Sequence, residues 1–149
     1  MMRVPYDKKY IVDTNVACSL KKMHVDSNFF RNNCFIPEEI LTEIGNSNDL
    51  YLEFERRQLP ITFDVLYELQ NSVMLHSESV IDLYDDKGDG DVMIIATILA
   101  EKRKEAGSWL ITEWVVATED NGLKKLLSKF GIERVGLEEF KVLCLKEVN

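Results

Sequence analysis

A chain of 149 residues is about the length of one domain. Its net charge of −8, from 26 acidic against 18 basic residues, excludes indiscriminate capture of a polyanion by a uniformly basic exterior, so any nucleic-acid contact must be local. With 46% hydrophobic residues, 7 Gly and 3 Pro, the composition is that of a chain able to bury a core, and not of a disordered or collagen-like one.

The longest apolar or small run, residues 92–100, is less than half of the roughly 20 residues that a membrane-spanning helix needs. The N-terminal Met1-Met2-Arg3-Val4-Pro5-Tyr6-Asp7-Lys8-Lys9 has charge but no apolar stretch of signal-peptide length. Cys18, Cys34 and Cys144 form no CxxC pair and read as reduced thiols of a cytoplasmic protein.

In chain order, Tyr10-Ile11-Val12 is a β-branched and aromatic run ending at Asp13-Thr14-Asn15, residues that favour turns and caps; it predicts a buried strand feeding a helix. Phe35-Ile36 precedes a helix over residues 37–45, with Pro37 opening it, Glu38 and Glu39 in its first turn and Gly45 closing it. Helices are also predicted over residues 49–58 and 63–69, the second capped by Thr62, with Phe63, Leu66, Tyr67 and Leu69 as its apolar face. Val73-Met74-Leu75 reads as a short strand, followed by Ser77 as a cap and Val80, Leu83 and Tyr84 at helical spacing.

The strongest helical pattern spans residues 91–106, with Gly107 just past its end. Trp114-Val115-Val116-Ala117 is a second strong strand, ending at Thr118-Glu119-Asp120-Asn121. Leu123, Leu126, Leu127 and Phe130 then recur at helical spacing before Gly131, and Arg134-Val135-Gly136 predicts a last strand before a terminal helix from Leu137. Strands alternating with helices along the whole chain predict one α/β domain, a parallel sheet of about four to five strands sandwiched by helices in three layers. In such sheets ligands sit outside the carboxyl ends of the strands, near the switch in strand order.

That edge is acidic. Asp13 closes the first strand and Asp120 lies just beyond the strand at 114–117. On a helical wheel of about 100° per residue, Ile95, Ile98 and Leu99 all fall within about 80° of Asp91, so the acid is expected to face the sheet with them. Glu43 falls about 60° from Ile40 and flanks the buried face of its helix. Carboxylates crowded in a partly dry cleft repel one another and lose hydration, and a divalent cation relieves both costs. All-oxygen donors suit Mg²⁺ or Mn²⁺, and no His or Cys stands at a spacing that favours zinc. With a phosphodiester as substrate, such ions position and activate a water and stabilise the departing oxygen.

Ile11-Val12-Asp13-Thr14-Asn15, Ile36-Pro37-Glu38-Glu39-Ile40-Leu41-Thr42-Glu43-Ile44, Asp91-Val92-Met93-Ile94-Ile95-Ala96-Thr97 and Val116-Ala117-Thr118-Glu119-Asp120 occur in the order, and roughly at the intervals, of the PIN-domain nucleases, which the chain resembles over nearly its whole length. The resemblance implies a PIN-like fold and a metal-dependent endoribonuclease in which Asp13, Glu43, Asp91 and Asp120 are the catalytic, Mg²⁺- or Mn²⁺-binding acids. It also implies that Asn15 and Thr118 orient carboxylates or waters. Many relatives carry a further acid shortly after the fourth, where this chain has Asn121-Gly122. Compact relatives are often toxins held by a small antitoxin, and others process RNA; a one-domain toxin is expected to form a homodimer.

Each feature also has a plainer reading. Asp13 after a strand is, taken singly, a helix cap, and Asp89 is best read as the N-cap of the helix that follows, with a ligand role as the alternative. Glu38 and Glu39 answer the positive end of their helix, His24 and His76 are surface or satisfied polar groups, and Cys18 and Cys34 are small core residues. Lys124-Lys125, close to Asp120, is the cationic pair best placed for a phosphate. The competing function is a catalytically inactive binding module of the same fold that acts through a protein partner. A receiver-type signalling domain has neither its Asp nor its Lys in place.

Overall fold

The computed structural model describes residues 6–73 and 90–146, with the backbone alone of Tyr6, Gly90 and Asp91. Five strands, β1 (Tyr6–Val12), β2 (Cys34–Pro37), β3 (Gln58–Leu59), β4 (Ile111–Ala117) and β5 (Glu133–Val135), form one all-parallel sheet in the order β3-β2-β1-β4-β5. The central pair is the longest, running in register from Tyr6↔Ile111 to Val12↔Ala117. Burial on both faces explains why these two strands read as continuous apolar runs at Tyr10-Ile11-Val12 and Trp114-Val115-Val116-Ala117.

Three short helices, α1 (Thr14–Ala17), α2 (Lys22–Val25) and α3 (Asn28–Asn33), link β1 to β2; α4 (Glu38–Ile44) and α5 (Tyr51–Glu55) lead to β3. α6 (Phe63–Glu68) continues into a π-helical turn, Leu69–Val73. α7 (Gly90–Lys104) precedes β4, α8 (Asn121–Lys129) joins β4 to β5, and α9 (Leu137–Leu145) follows. Helices flank the sheet to give the expected three-layer α/β/α architecture. In one layer Tyr10 of β1, Phe29 of α3 and Phe140 of α9 meet edge to face at 4.9–6.2 Å between ring centres. In the other, α4 and α6 both pack against α7. No helix among the described residues is long and apolar enough to cross a membrane.

Local chemistry sets the helix ends. Asp13, Ser27, Thr62 and Asp120 cap α1, α3, α6 and α8 through side-chain oxygens that accept backbone N–H groups. Pro37 opens α4, and Gly45 at φ +80° and Gly131 at φ +66° take the left-handed backbone that closes α4 and the turn after α8.

Several expectations are corrected. The helix predicted over 49–58 spans Tyr51–Glu55, and Gln58 instead joins Leu59 in β3, because the two pair with Ile36 and Pro37 at the sheet edge. Val73 ends the π-helical turn and is not the start of a strand, while Met74, Leu75, His76, Ser77, Val80, Leu83, Tyr84 and Asp89 lie outside the described residues. Cys18 is exposed, although Cys34 and Cys144 are buried. His24 is buried and satisfied, its Nδ1 accepting the Lys21 N–H at 2.9 Å.

Most of the expected face of α6 turns outward: Phe63 is 80% exposed and Leu66 and Tyr67 are also exposed, whereas Leu69 packs against the core as expected and Val65, 2% exposed, and Glu68 face α7. Glu68 is tolerated there because Arg103 of α7 donates to its Oε2 at 3.0 Å and Ser72 to its Oε1 at 2.7 Å. Val65→Ala is therefore expected to cost about 1–3 kcal/mol in urea unfolding, and Phe63→Ser to stay within about 0.5 kcal/mol of wild type. The reverse ranking would restore the face expected from the sequence.

Candidate functional site

The strand order places a topological switch beside β1. After β1, the chain builds β2 and β3 outward on one side and then crosses to β4 on the other. The carboxyl ends of β1 and β4 therefore border the crevice where parallel sheets take ligands. Asp13 follows β1 directly and is tied to β4 by donating its backbone N–H to Ala117 O at 3.0 Å.

Asp13 is only 4% exposed, and its carboxylate is held by three donors. Oδ1 accepts the Thr14 N–H at 2.8 Å; Oδ2 accepts the Thr118 hydroxyl at 2.7 Å and the Asn15 amide at 3.3 Å. The same side chain is thus both the cap of α1 and the buried acid at the switch. Burial pushes its pKa above the usual carboxylate value; the Thr118 hydroxyl and Thr14 N–H pull it down, and the charges of Glu43 and Asp120 push it up again.

Glu43 reaches this point from α4, which packs on α1. Thr14 donates its hydroxyl to Glu43 Oε1 at 2.5 Å, so one residue links both acids: its N–H serves Asp13 and its hydroxyl serves Glu43. Thr118 does the same on the other side, giving its hydroxyl to Asp13 and accepting the Asp120 N–H at 3.0 Å. Asp120 caps α8 through Oδ1, which accepts the Leu123 N–H at 2.9 Å. Asn15 ties the two loops together, its Oδ1 accepting the Glu119 N–H at 3.2 Å.

Asp91 stands in the first turn of α7. That helix ends at Lys104, shortly before β4 begins at the amino edge of the sheet, and its 15 residues span about 22 Å. Its start, with Asp91, is thereby carried to the carboxyl edge. The wheel argument for the direction of Asp91 has no footing, because every residue from Val92 through Ile98 is buried and α7 has no single apolar stripe.

Three of the four acids are thus brought together: Asp13 linked to Glu43 through Thr14, and to Asp120 through Thr118. Among the described residues, no group of three or more His, Cys, Asp or Glu side chains is arranged to hold a metal ion. No lysine or arginine among the described residues forms an ion pair with Asp13 or Glu43. Glu38 and Glu119 take structural roles: Glu38 Oε1 accepts the Ile61 N–H at 2.8 Å, and Glu119 Oε2 accepts the Leu137 N–H at 2.7 Å. The linking role of Thr14 was not expected, and a threonine between Asp and Asn carries no signal of its own until α4 is known to lie beside it. No family model matches the chain, and no curated protein matches it.

Proposed function

We propose that the chain is a PIN-like, divalent-metal-dependent endoribonuclease that hydrolyses RNA phosphodiester bonds at the edge carrying Asp13, Glu43, Asp91 and Asp120. The observation that carries this reading is Asp13, a buried carboxylate at the sheet's switch point whose charge is opposed by Glu43 and Asp120, with no cationic side chain among the described residues paired to it. Such a group is stabilised by a hard cation, and an all-oxygen donor set suits Mg²⁺ or Mn²⁺. The segments that resemble the PIN nucleases are the ones that supply these acids.

When bound, the cation lowers the pKa of a water and stabilises the departing oxygen. The chain's own residues hold the geometry. Thr118, Asn15 and the Thr14 N–H fix the Asp13 carboxylate in one orientation, and the Thr14 hydroxyl fixes Glu43. Lys124 and Lys125, in the first turns of α8 beyond Asp120, are placed to meet a substrate phosphate.

Calorimetric titration with MnCl₂ at neutral pH, paired with cleavage of a mixed-sequence RNA, tests this. Saturable binding is expected, weakening as pH falls through the raised Asp13 value, because a ligating Asp13 must be ionised. Metal-dependent cleavage should accompany it. A chain that neither takes up Mn²⁺ at millimolar concentration nor cuts RNA would instead be the binding module.

A further inference from the structure

A groove leads away from the carboxylate edge along the side of the fold that carries α2. It begins at Cys18, just after α1, whose thiol is pushed up by burial and by the charge of Glu43. From there it passes between residues 20–22 and the 47–50 loop with a volume of about 750 Å³. Lys22 and Glu53 line both this groove and a second hollow of about 370 Å³ walled by Arg31, Arg56 and Arg57, so the two adjoin across the Lys22–Glu53 ion pair. Arg31 and Arg57 lie just before β2 and β3, at the amino edge of the sheet, whereas Asp13 is at its carboxyl edge. The path covers at least the length of the four-residue β2, about 13 Å. Several nucleotides at a stacked spacing of about 3.4 Å would fill it.

Its charge is opposite to that of the molecule. Lys21, Lys22, Arg31, Arg56 and Arg57 stand along it against the carboxylates of Asp26, Asp49 and Glu53, in a chain of net charge −8. Two of those acids are paired: Lys22 pairs with Asp26 and Glu53, both at 3.4 Å, and Arg31 shares Asp26 at 3.6 Å. Arg56 has no carboxylate partner among the described residues. Arg57 is held in place, its Nε donating to Cys34 O at 2.9 Å and its guanidinium lying 4.4 Å from the centre of the Phe35 ring. A pre-set guanidinium beside mobile-headed cations is suited to backbone phosphates, which arginine binds without reading bases.

Resting on the nuclease reading, we infer that this groove holds the single-stranded RNA flank adjoining the bond to be cut, with Arg31, Arg56 and Arg57 gripping its phosphates. The binding is to the backbone and so tolerant of sequence.

Fluorescence anisotropy of a labelled oligouridylate of about 12 nucleotides, in EDTA so that no cleavage occurs, compares the wild-type chain with the exposed double variant Arg31→Ala/Arg56→Ala. Near 100 mM salt the variant should bind about ten- to thirtyfold more weakly, with a log–log salt slope shallower by about 1.4, or about 0.7 for each phosphate no longer neutralised. Lys102→Ala/Lys104→Ala, which removes two charges outside the groove, should change neither, and the arginine double variant's Mn²⁺ affinity should match wild type. Equal RNA affinity and slope in wild type and double variant, with Mn²⁺ binding and cleavage intact, overturns the groove alone. Poly-glutamate bound as tightly as RNA and lost in the same variant would make the occupant an acidic polypeptide and overturn it too. A wild-type chain that neither binds Mn²⁺ nor cleaves, yet loses RNA in the double variant, would end the nuclease reading and leave the groove.

Discussion

With Asn in place of Asp13, metal-dependent RNA cleavage is expected to fall by more than about a hundredfold, exceeding the 10- to 100-fold typical of losing a group that only supports a ligand. Asp91→Asn should do the same from the start of α7. Undiminished cleavage by either variant in Mn²⁺ would remove that acid from the site. Asp13→Asn has a second readout that needs no substrate. Burial, Glu43 and Asp120 raise the Asp13 pKa above its ordinary value of 3.8, so the folded chain binds that proton more tightly than the unfolded chain does. The ionised group consequently destabilises the apo fold at neutral pH, and this cost disappears as pH falls through the raised value toward 3.8. Wild-type stability minus that of Asp13→Asn should therefore drift downward as pH rises across that window, and Mn²⁺ should remove the drift. A difference that stays flat with pH would mean that Asp13 is not perturbed.

Much of this site was legible because the sequence puts each acid at the end of a recognisable element. Asp13 ends the run Tyr10-Ile11-Val12, Asp120 follows Trp114-Val115-Val116-Ala117, and a parallel sheet delivers both strand ends to one edge. The links between the acids were not legible. Thr14 and Glu43 are 29 residues apart, and Thr118 and Asp13 105 apart, so their hydrogen bonds exist only once the layers are assembled.

The misread elements share this cause. α6 carries an apolar stripe at helical spacing, yet it buries the Glu68 side of the helix, because the compensating Arg103 comes from α7, 35 residues on. Gln58-Leu59 has no strand pattern of its own and is extended only through its pairing with β2. Residues 18–33 carry no periodic signal because α2 and α3 are too short to show one. α7 defeats the wheel for the opposite reason: with every residue from Val92 through Ile98 buried, its first turns have no preferred side from which to read the aim of Asp91.

Thr118→Val separates the support of Asp13 from the ligand itself. Thr118 is fully buried, and its hydroxyl is the shortest bond to the Asp13 carboxylate and the acceptor for the Asp120 N–H. Valine keeps the volume and removes both bonds, leaving a buried N–H and a carboxylate oxygen short of a partner, at a cost of about 1–3 kcal/mol in denaturant unfolding. Because the hydroxyl stabilises the ionised form, its loss moves the Asp13 pKa further upward. Metal binds only the ionised carboxylate, so Mn²⁺ affinity should fall about 10- to 100-fold at pH values below the displaced midpoint. It should also recover as pH is raised, with the midpoint of the affinity–pH curve displaced to higher pH than in wild type. Thr118→Ser, which restores the donor, should return the midpoint to the wild-type position. If Thr118→Val binds Mn²⁺ with the wild-type pH midpoint while unfolding more easily, the hydroxyl serves the fold and not the carboxylate's charge.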